Sequence, residues 1–363
     1  MECNKTRESR FMKYPVHGGD IYRNKIRMDF SVNINPLGVD AKIKNRLNMT
    51  MDEISNYPDP EQMRLRIAIA DRFQLSEDSI VCGNGASELI LATVHAIRPK
   101  KIVCPVPSFY GYERAAWACS AELRCYPMKE ENDFALDSGI KSYLKPDVDM
   151  LFLANPNNPV GNRIEPELLE DILDICKEND IWVLLDECFI EFLSHSRYDV
   201  RGRLKRYKNL MILRAFTKFY AIPGVRLGYL LCENDNLLTK IRLQLPEWNV
   251  SVFAENAGIA ALSVEHNYAN TSLYIRRERN YMETFIKRAF EESRKTIDVF
   301  DGEANFILVK TEVDLYARLL REGILIRDCS DYRGLGKGFY RIAIKEHEEN
   351  EEFIRVLEKC LDD

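Results

Sequence analysis

Lys218 directly follows an apolar run, and Arg226 comes eight residues later, beyond a Pro-Gly turn. A lysine at the end of a strand stands at the edge of an open α/β sheet, where such folds bind their ligands. Partial burial beside other positive charge would lower the pKa of its amine and make it a nucleophile toward an aldehyde. The planar fork of Arg226 suits a phosphate. Alone, the pair fits a surface lysine and a salt-bridging arginine equally well.

Two further strand ends carry groups that suit a phosphorylated ring. Gly85, Ala86 and Ser87 follow one predicted strand and open a helix, where small residues let backbone N–H groups close on an anion. Many strand-to-helix turns look alike, so this loop is weak evidence by itself. Asp186 ends another apolar strand. Its carboxylate can pair with a protonated ring nitrogen, and the alternatives are a helix cap or a solvated loop acid.

Two more side chains follow predicted strands. Asn158 lies in an Asn-Pro turn, where its amide can donate to an oxygen on a bound ring or simply belong to a turn. Phe109 follows a Pro-Val-Pro segment and can stack on a ring, although a lone aromatic residue is more often part of the core.

The two ends of the chain hold candidate substrate groups. His17 and Gly18 begin a His-Gly-Gly turn, which offers an imidazole and free backbone amides to a phosphate or carboxylate, and Asn33 follows in the same segment. An ordinary flexible tail is the alternative. Arg327 and Arg341 lie on or beside predicted strands, and their forks match the two anionic groups of a phosphorylated amino acid. The alternative for either is a solvent-exposed charge on a strand.

Composition excludes several classes of protein. The 363 residues suffice for a large core and two unequal domains, and the net charge of −6 without a basic block argues against nucleic acid as a partner. No run approaches the roughly 20 apolar residues that span a bilayer, and the polar start has no signal peptide. The ten cysteines are scattered without metal-ligand spacing. We therefore expect a cytoplasmic protein with buried thiols and no metal site.

Short β-branched runs alternate with amphipathic stretches through the middle of the chain, which predicts an α/β fold with a mainly parallel sheet between helical layers. The pattern predicts strands at 79–82, 101–104, 150–153, 182–186, 211–214, 228–232, 305–310, 325–327 and 340–344. The domains expected are an arm at 1–45, a large domain at 46–250 and a small α+β domain at 251–363. We expect no helix in the arm, which should return to the small domain and the active site.

The order of these motifs resembles the fold-type I enzymes that depend on pyridoxal 5'-phosphate (PLP), in the aminotransferase class I/II superfamily, across nearly the whole chain. The resemblance implies a PLP-dependent enzyme with the type I fold. It implies these cofactor contacts: Lys218 as the Schiff-base lysine, Arg226 and residues 85–87 on the phosphate, Asp186 on the ring nitrogen, Asn158 on the ring oxygen, and Phe109 and Phe189 at the ring. It also implies a homodimer in which Tyr57 reaches the neighbouring subunit's phosphate. One departure is Ala215, where the family usually has a phosphate-binding Ser or Thr.

The cofactor motifs do not choose the reaction, because PLP weakens whichever bond of the substrate Cα stands perpendicular to its ring. The His17-Gly18 turn with Asn33 resembles the threonine-phosphate decarboxylase branch, in which the arm lines the substrate pocket. Phe189 also matches that branch, because the related histidinol-phosphate aminotransferases carry Tyr there. In both branches the two C-terminal arginines contact substrate, with Arg341 on the carboxylate side.

The resemblance thus implies decarboxylation of O-phospho-L-threonine to (R)-1-aminopropan-2-yl phosphate and CO2, in cobalamin biosynthesis. A histidinol-phosphate-type aminotransferase is the alternative. O-phosphoserine remains a candidate substrate, since one methyl group changes affinity by only about 1–3 kcal/mol. A PLP-binding regulator without turnover is disfavoured, because no basic helix-turn-helix pattern precedes His17.

Overall fold

The computed structural model describes residues 18–193, 200–264 and 268–362, which form two sheets, a short two-stranded pairing and their helices. The strands are β1 (Met28–Asp29), β2 (Ile80–Gly83), β3 (Lys101–Val106), β4 (Glu122–Pro127), β5 (Met150–Ala154), β6 (Trp182–Asp186), β7 (Leu210–Ala215), β8 (Gly228–Cys232), β9 (Asp298–Val299), β10 (Phe306–Lys310), β11 (Ile324–Leu325), β12 (Arg327–Asp328) and β13 (Phe339–Ala343).

The helices are α1 (Ala41–Met49), α2 (Met63–Phe73), α3 (Ala86–Ile97), α4 (Tyr110–Ala118), α5 (Pro166–Glu178), α6 (Phe216–Phe219), α7 (Asp235–Arg242), α8 (Val252–Ser263), α9 (Tyr268–Glu292), α10 (Leu315–Arg321) and α11 (His347–Asp362). Short 3-10 turns join several of them. Of the helices within the described ranges, none is both long and apolar enough to cross a bilayer.

The larger sheet has seven strands in the order β2-β8-β7-β6-β5-β3-β4. Only β8 runs antiparallel to its neighbours, so the α/β fold with a mainly parallel sheet is confirmed. Successive residues of β5, β6 and β7 are buried, which requires cover on both faces and explains why these strands read as continuous apolar runs. Their carboxyl ends lie side by side, and this places the segments that follow at one edge of the sheet.

The second sheet is antiparallel, in the order β12-β13-β10-β9. The arm joins this part of the molecule through β1, which pairs parallel with β11. The amide of Phe30 donates to the carbonyl of Leu325 at 2.7 Å, and the amide of Ala343 donates to the carbonyl of Phe30 at 2.8 Å. Phe30 is buried and packs on Phe353 of α11. The domain limits at 45 and 250 stay a prediction.

The expectation of an arm without a helix is wrong, because α1 begins at Ala41. Asp40 starts it by accepting a hydrogen bond from the amide of Lys42 at 2.7 Å. Only Ile43 of its nine residues is buried, so the apolar periodicity that would announce a helix is nearly absent. Packing on α8 supplies the support that the local sequence lacks.

Candidate active site

A cavity of about 180 Å³ opens at the carboxyl ends of β5, β6 and β7. It is lined by Ala86, Ser87, Phe109, Tyr112, Ala154, Pro156, Asn158, Asp186, Cys188, Phe189, Ala215, Thr217, Lys218, Pro223 and Arg226. Eight of these residues were candidates from the sequence, namely Ala86, Ser87, Phe109, Asn158, Asp186, Phe189, Lys218 and Arg226. A larger cavity of about 750 Å³ lies beside the small sheet, and its lining includes none of the candidate residues.

Lys218 lies on the single turn of α6, which follows β7 directly. Burial lowers the pKa of its amine to about 8, and the positive charges of Arg341 and Arg226 act in the same direction. Its Nζ lies 5.7 Å from the centre of the Phe189 ring. A lysine with this pKa has a substantial neutral fraction near neutral pH, which is what nucleophilic attack on an aldehyde requires.

Asp186 ends β6 and holds its carboxylate with two hydrogen bonds. Oδ2 accepts from the hydroxyl of Tyr112 at 2.7 Å, and Oδ1 accepts from the amide of Cys188 at 2.9 Å. Burial raises the pKa of this carboxyl group, whereas the Cys188 thiol, the two hydrogen bonds above and the charge of Lys218 oppose the rise. The result is an oriented carboxylate on the cavity wall, suited to a protonated ring nitrogen.

Gly85 forms a cradle with Arg226 at the start of α3. The two come together because β2 pairs with β8, which places Gly83 opposite Gly228. Gly85 has a φ of +82°, and a Cβ there would lie 2.5 Å from Nη2 of Arg226. Only glycine therefore permits this approach of backbone to guanidinium. With the free N–H groups at the start of α3, the cradle fits the phosphate of PLP.

Arg341 is buried and fixed by the arm. Its Nη1 donates to Oδ1 of Asn158, and its Nη2 donates to the carbonyl of Ser31 at 3.0 Å. The amide oxygen of Asn33, turned toward the guanidinium, accepts from Nε at 3.1 Å and from Nη1 at 3.3 Å. Arg341 thus connects the cavity residue Asn158 with the arm. Because Oδ1 of Asn158 is engaged, the Nδ2 group is what this side chain has left to offer a ring oxygen.

Arg327 does not line the cavity, but its neighbour Tyr332 contacts Asn158, which does. Its Nη2 donates to both carboxylate oxygens of Asp331, at 2.7 and 2.9 Å. Its guanidinium lies 5.3 Å from the ring centre of Tyr332, whose hydroxyl donates to Oδ1 of Asn158 at 3.5 Å. Arg341 therefore contacts Asn158 directly, whereas Arg327 is linked to Asn158 through Tyr332.

Gly18 and Tyr57 do not line the cavity, and His17 falls outside the described residues. Gly18 lies so close to Ser31 that a Cβ would meet the Ser31 carbonyl oxygen at 2.2 Å. Tyr57 is 81% exposed and lies against Trp248, with 4.9 Å between ring centres. It does not line the cavity of its own chain.

Sequence reasoning missed Tyr112, Cys188 and Thr217. Helical spacing could have predicted that Tyr112 lies at the site, because Tyr112 comes three residues after Phe109 and residues at that spacing share a helix face. The prediction had no helix at α4, so this relationship was not visible. Cys188 contributes its backbone amide and its thiol to Asp186, and of these the amide is a contribution that residue type does not reveal.

Comparison with known proteins gives three findings. Residues 25–357 match the family described as aminotransferase class I and II. Threonine-phosphate decarboxylase of Salmonella typhimurium is 36% identical over 338 residues, 92% of this chain and 91% of that protein. The adenosylcobalamin biosynthesis bifunctional protein of Leptospira interrogans is 31% identical over 94% of this chain and 41% of its own length.

A solved structure with the same fold is the crystal structure of histidinol-phosphate aminotransferase from Clostridium acetobutylicum. It superposes with a TM-score of 0.85 at 34% identity, and the match covers 93% of this chain and 99% of that one.

Proposed function

The chain belongs to the aminotransferase class I and II family, and from that premise we propose that it decarboxylates O-phospho-L-threonine to (R)-1-aminopropan-2-yl phosphate and CO2. The proposal is supported by the 36% identity with the Salmonella threonine-phosphate decarboxylase over nearly the full length of both chains. A place in cobalamin biosynthesis is supported by the Leptospira relative, which is named for adenosylcobalamin biosynthesis.

The enzyme depends on PLP, which when bound draws electrons from the bonds of the Cα atom of an attached amino acid. Lys218 would hold its aldehyde carbon, Asp186 its ring nitrogen, and Gly85 with Arg226 its phosphate. Ala215 lines the cavity but brings no hydroxyl, so it offers the phosphate no hydrogen bond.

Arg341 would bind the substrate's carboxylate. Its guanidinium is already held by Ser31, Asn33 and Asn158, so little conformational entropy remains to be lost when an anion arrives. A bound carboxylate would replace the amide oxygen of Asn33 as the acceptor for the Arg341 guanidinium. The new hydrogen bonds would join two charged groups and would therefore be stronger. Arg327 would take the phosphate, in competition with the Asp331 carboxylate.

Lys218 also has a role after the carboxylate has left. With a pKa of about 8, its amine is mostly protonated at pH 7 and can return a proton from Nζ to Cα. Water is the other available donor. Burial of the cavity by Phe189 and Tyr112 limits the access of bulk water to that position.

The choice of decarboxylation over transamination depends on one observation, that residue 189 is a phenylalanine without a hydroxyl. The ring is buried against Phe306, 5.3 Å between centres, and lines the cavity beside Lys218. It brings no hydroxyl to the place where the aminotransferase branch has one for the ring oxygen of the cofactor. The distribution of electrons in the bound ring should therefore differ from that in the aminotransferases.

We propose further that the enzyme is a cytoplasmic homodimer with shared active sites. Tyr57 is exposed, and so are the apolar side chains of Met49, Met51 and Ile54 shortly before it in the chain, which a second copy would cover. Its phenol would then reach the partner's phosphate. The cysteines of the described residues carry free thiols, which suits a reducing compartment.

The second candidate is transamination of a histidinol-phosphate type of amine. It is favoured by the TM-score of 0.85 and the 34% identity with the Clostridium enzyme, an identity close to the 36% shared with the Salmonella decarboxylase. The shared fold places the same cofactor residues in both reactions, so fold similarity does not choose between them.

Parallel assays distinguish the two. The PLP-loaded enzyme receives O-phospho-L-threonine, with released CO2 as the measurement, and in a second reaction histidinol phosphate with 2-oxoglutarate, with glutamate as the measurement. CO2 without glutamate supports decarboxylation, whereas glutamate without CO2 contradicts it. The Lys218→Ala variant controls for uncatalysed reaction, and a third reaction with O-phosphoserine measures the contribution of the substrate's methyl group.

A further inference from the structure

Residues 31–35 show a burial pattern opposite to that of an ordinary half-buried strand. The polar side chains of Ser31, Asn33 and Asn35 are 1%, 2% and 7% exposed, whereas Val32 and Ile34 between them are half-buried. Where polar and apolar residues alternate in this way, the apolar side chains normally take the buried positions. Local rules of this kind are broken mainly where function requires it.

Residues 31–35 have specific partners on the two halves of the site. Asn33 holds the guanidinium of Arg341 through its side-chain amide oxygen, whereas Ser31 holds it through its backbone carbonyl. The Ser31 hydroxyl itself donates to the carboxylate of Asp29 at 2.6 Å. Asn35 contacts the turn that carries Lys218. Its backbone amide donates to the carbonyl of Lys218 at 3.0 Å, and its Nδ2 donates to the carbonyl of Phe219 at 2.8 Å.

We infer that Asn35 is a positioning residue for Lys218, and that residues 31–35 tie the placement of Lys218 to that of Arg341. The inference rests on the proposed function for the role of Arg341, while the contact with Lys218 is independent of it. Asn35 touches neither the cavity nor any reacting atom, so its effect passes through the α6 turn.

The α6 turn needs such support because of its length. It is a single turn of four residues, too short to be stable alone, and its cap Ala215 has no side-chain hydrogen bond. The carbonyls of Lys218 and Phe219 both accept hydrogen bonds from Asn35, which lies 184 positions from Phe219 in the chain. Loss of the Nδ2 donor would remove the bond to the Phe219 carbonyl, which is the side-chain tie between the arm and the backbone next to the lysine.

Asn35 also has a local role, which the test must separate from the long-range one. Its Oδ1 accepts from the amide of Leu37 at 3.1 Å and shapes the turn before Gly38. A serine can accept the same local bond but is too short to reach Phe219. Asn35→Ser therefore keeps the turn and loses the donor, whereas Asn35→Ala loses both.

The test compares these two variants with Asn24→Ala, which removes an asparagine of the same arm that bonds only to the carbonyl of Asp20 at 2.9 Å. The first measurement is the rate at which each full-length apoenzyme captures PLP covalently as a function of pH, which reports the state of Lys218 without any substrate. The second is kcat and KM for O-phospho-L-threonine. Thermal unfolding reports structural damage.

We expect both Asn35 variants to capture PLP roughly tenfold more slowly and to lose about tenfold in kcat with little change in KM, since misplacement by about 1 Å can cost up to 10²-fold. The pH midpoint of capture should rise, because a loosened lysine is less desolvated. Asn24→Ala should match the wild type. Capture rates and midpoints of Asn35→Ser that equal those of the wild type would overturn the inference.

Two further outcomes are informative. A wild-type enzyme that releases no CO2 while the capture results stand removes the proposed function and leaves the positioning role intact. If both Asn35 variants fail to fold, hydrogen exchange of the wild type decides, because the Asn35 amide should then be protected about as long as the core strands. Exchange of that amide as fast as that of the exposed residue Tyr22 in the same arm contradicts the inference.

Discussion

The hydroxyl of Tyr112 donates a 2.7 Å hydrogen bond to Oδ2 of Asp186, in a cavity wall where both groups are withdrawn from bulk water. Burial alone would favour the protonated acid, and Tyr112 is one of the groups that oppose this by stabilising the carboxylate. The carboxylate in turn raises the pKa of the Tyr112 hydroxyl, after the larger effect of burial. Tyr112 therefore supports the charge that a protonated ring nitrogen would need.

Tyr112→Phe should weaken that charge. The pKa of Asp186 rises further, so that on acidification the carboxylate is neutralised at a higher pH than in the wild type. The acidic limb of kcat/KM should then move to higher pH, and activity at neutral pH should fall about tenfold, the equivalent of roughly 1.4 kcal/mol. Measurement of kcat/KM from pH 5 to 9 checks this. Tyr126→Phe is the control, because Tyr126 makes the same kind of bond to Asp137 away from the cavity.

Lys218 should capture PLP with an unusual dependence on pH. Only the neutral amine reacts, so the rate rises with pH until the lysine is fully deprotonated. With a pKa of about 8, the rate should level off near that pH, whereas an ordinary lysine would keep gaining up to about 10.4. Stopped-flow absorbance of apoenzyme mixed with PLP measures the curve. A rate that continues to climb through pH 10 would show that the lysine is not buried as described.

Gly85→Ala should damage the phosphate cradle. The new Cβ would lie 2.5 Å from Nη2 of Arg226, and φ of +82° strains any side chain at this position. We expect PLP to dissociate roughly ten to a hundred times more readily, as one charged contact of about 1.5–3 kcal/mol is lost. Fluorescence titration with PLP gives the affinity. Gly336→Ala is the matched control, because its Cβ would meet open space, and equal affinities of the two variants would contradict the cradle.

Phe189→Tyr should change the absorbance of the bound cofactor. The ring already lies beside Lys218, so a hydroxyl on it is expected to point into the cavity and donate to the ring oxygen. The absorbance maximum and its pH midpoint should both shift, and a small transaminase activity is an expected companion. Phe285→Tyr, on α9 outside the cavity lining, controls for the added hydroxyl. An unchanged spectrum would mean that residue 189 does not face the cofactor ring.

The sequence predicted the parts of the fold that have strong local signals. Strands β6 and β8 appear at the predicted positions because they are apolar runs bounded by turns. Strand β4 was missed, since the run Glu122–Pro127 at the sheet edge mixes polar with apolar residues and only one of its six residues is buried. Strands β1 and β9 have only two residues each, and a run of that length shows no periodicity.

The same division holds for the site. Asp186 and Lys218 could be placed in advance because both follow strands whose ends must meet in a parallel sheet. The contacts of Arg341 with Ser31 and Asn33 could not, because they join residues about 310 positions apart and depend on how the arm folds back. Such contacts are tertiary, and single residues carry no sign of them.

The most direct measurement of the central claim follows the carboxyl carbon and the Cα proton together. The PLP-loaded enzyme is given O-phospho-L-threonine labelled with 13C at the carboxyl group, in D2O, and the products are examined by NMR. The account predicts labelled CO2 and aminopropanol phosphate in equal amounts, with one deuterium on the carbon that bears the amine. Retention of the label in a 2-oxo acid, or no consumption of the substrate by an enzyme that is fully loaded with PLP, would contradict it.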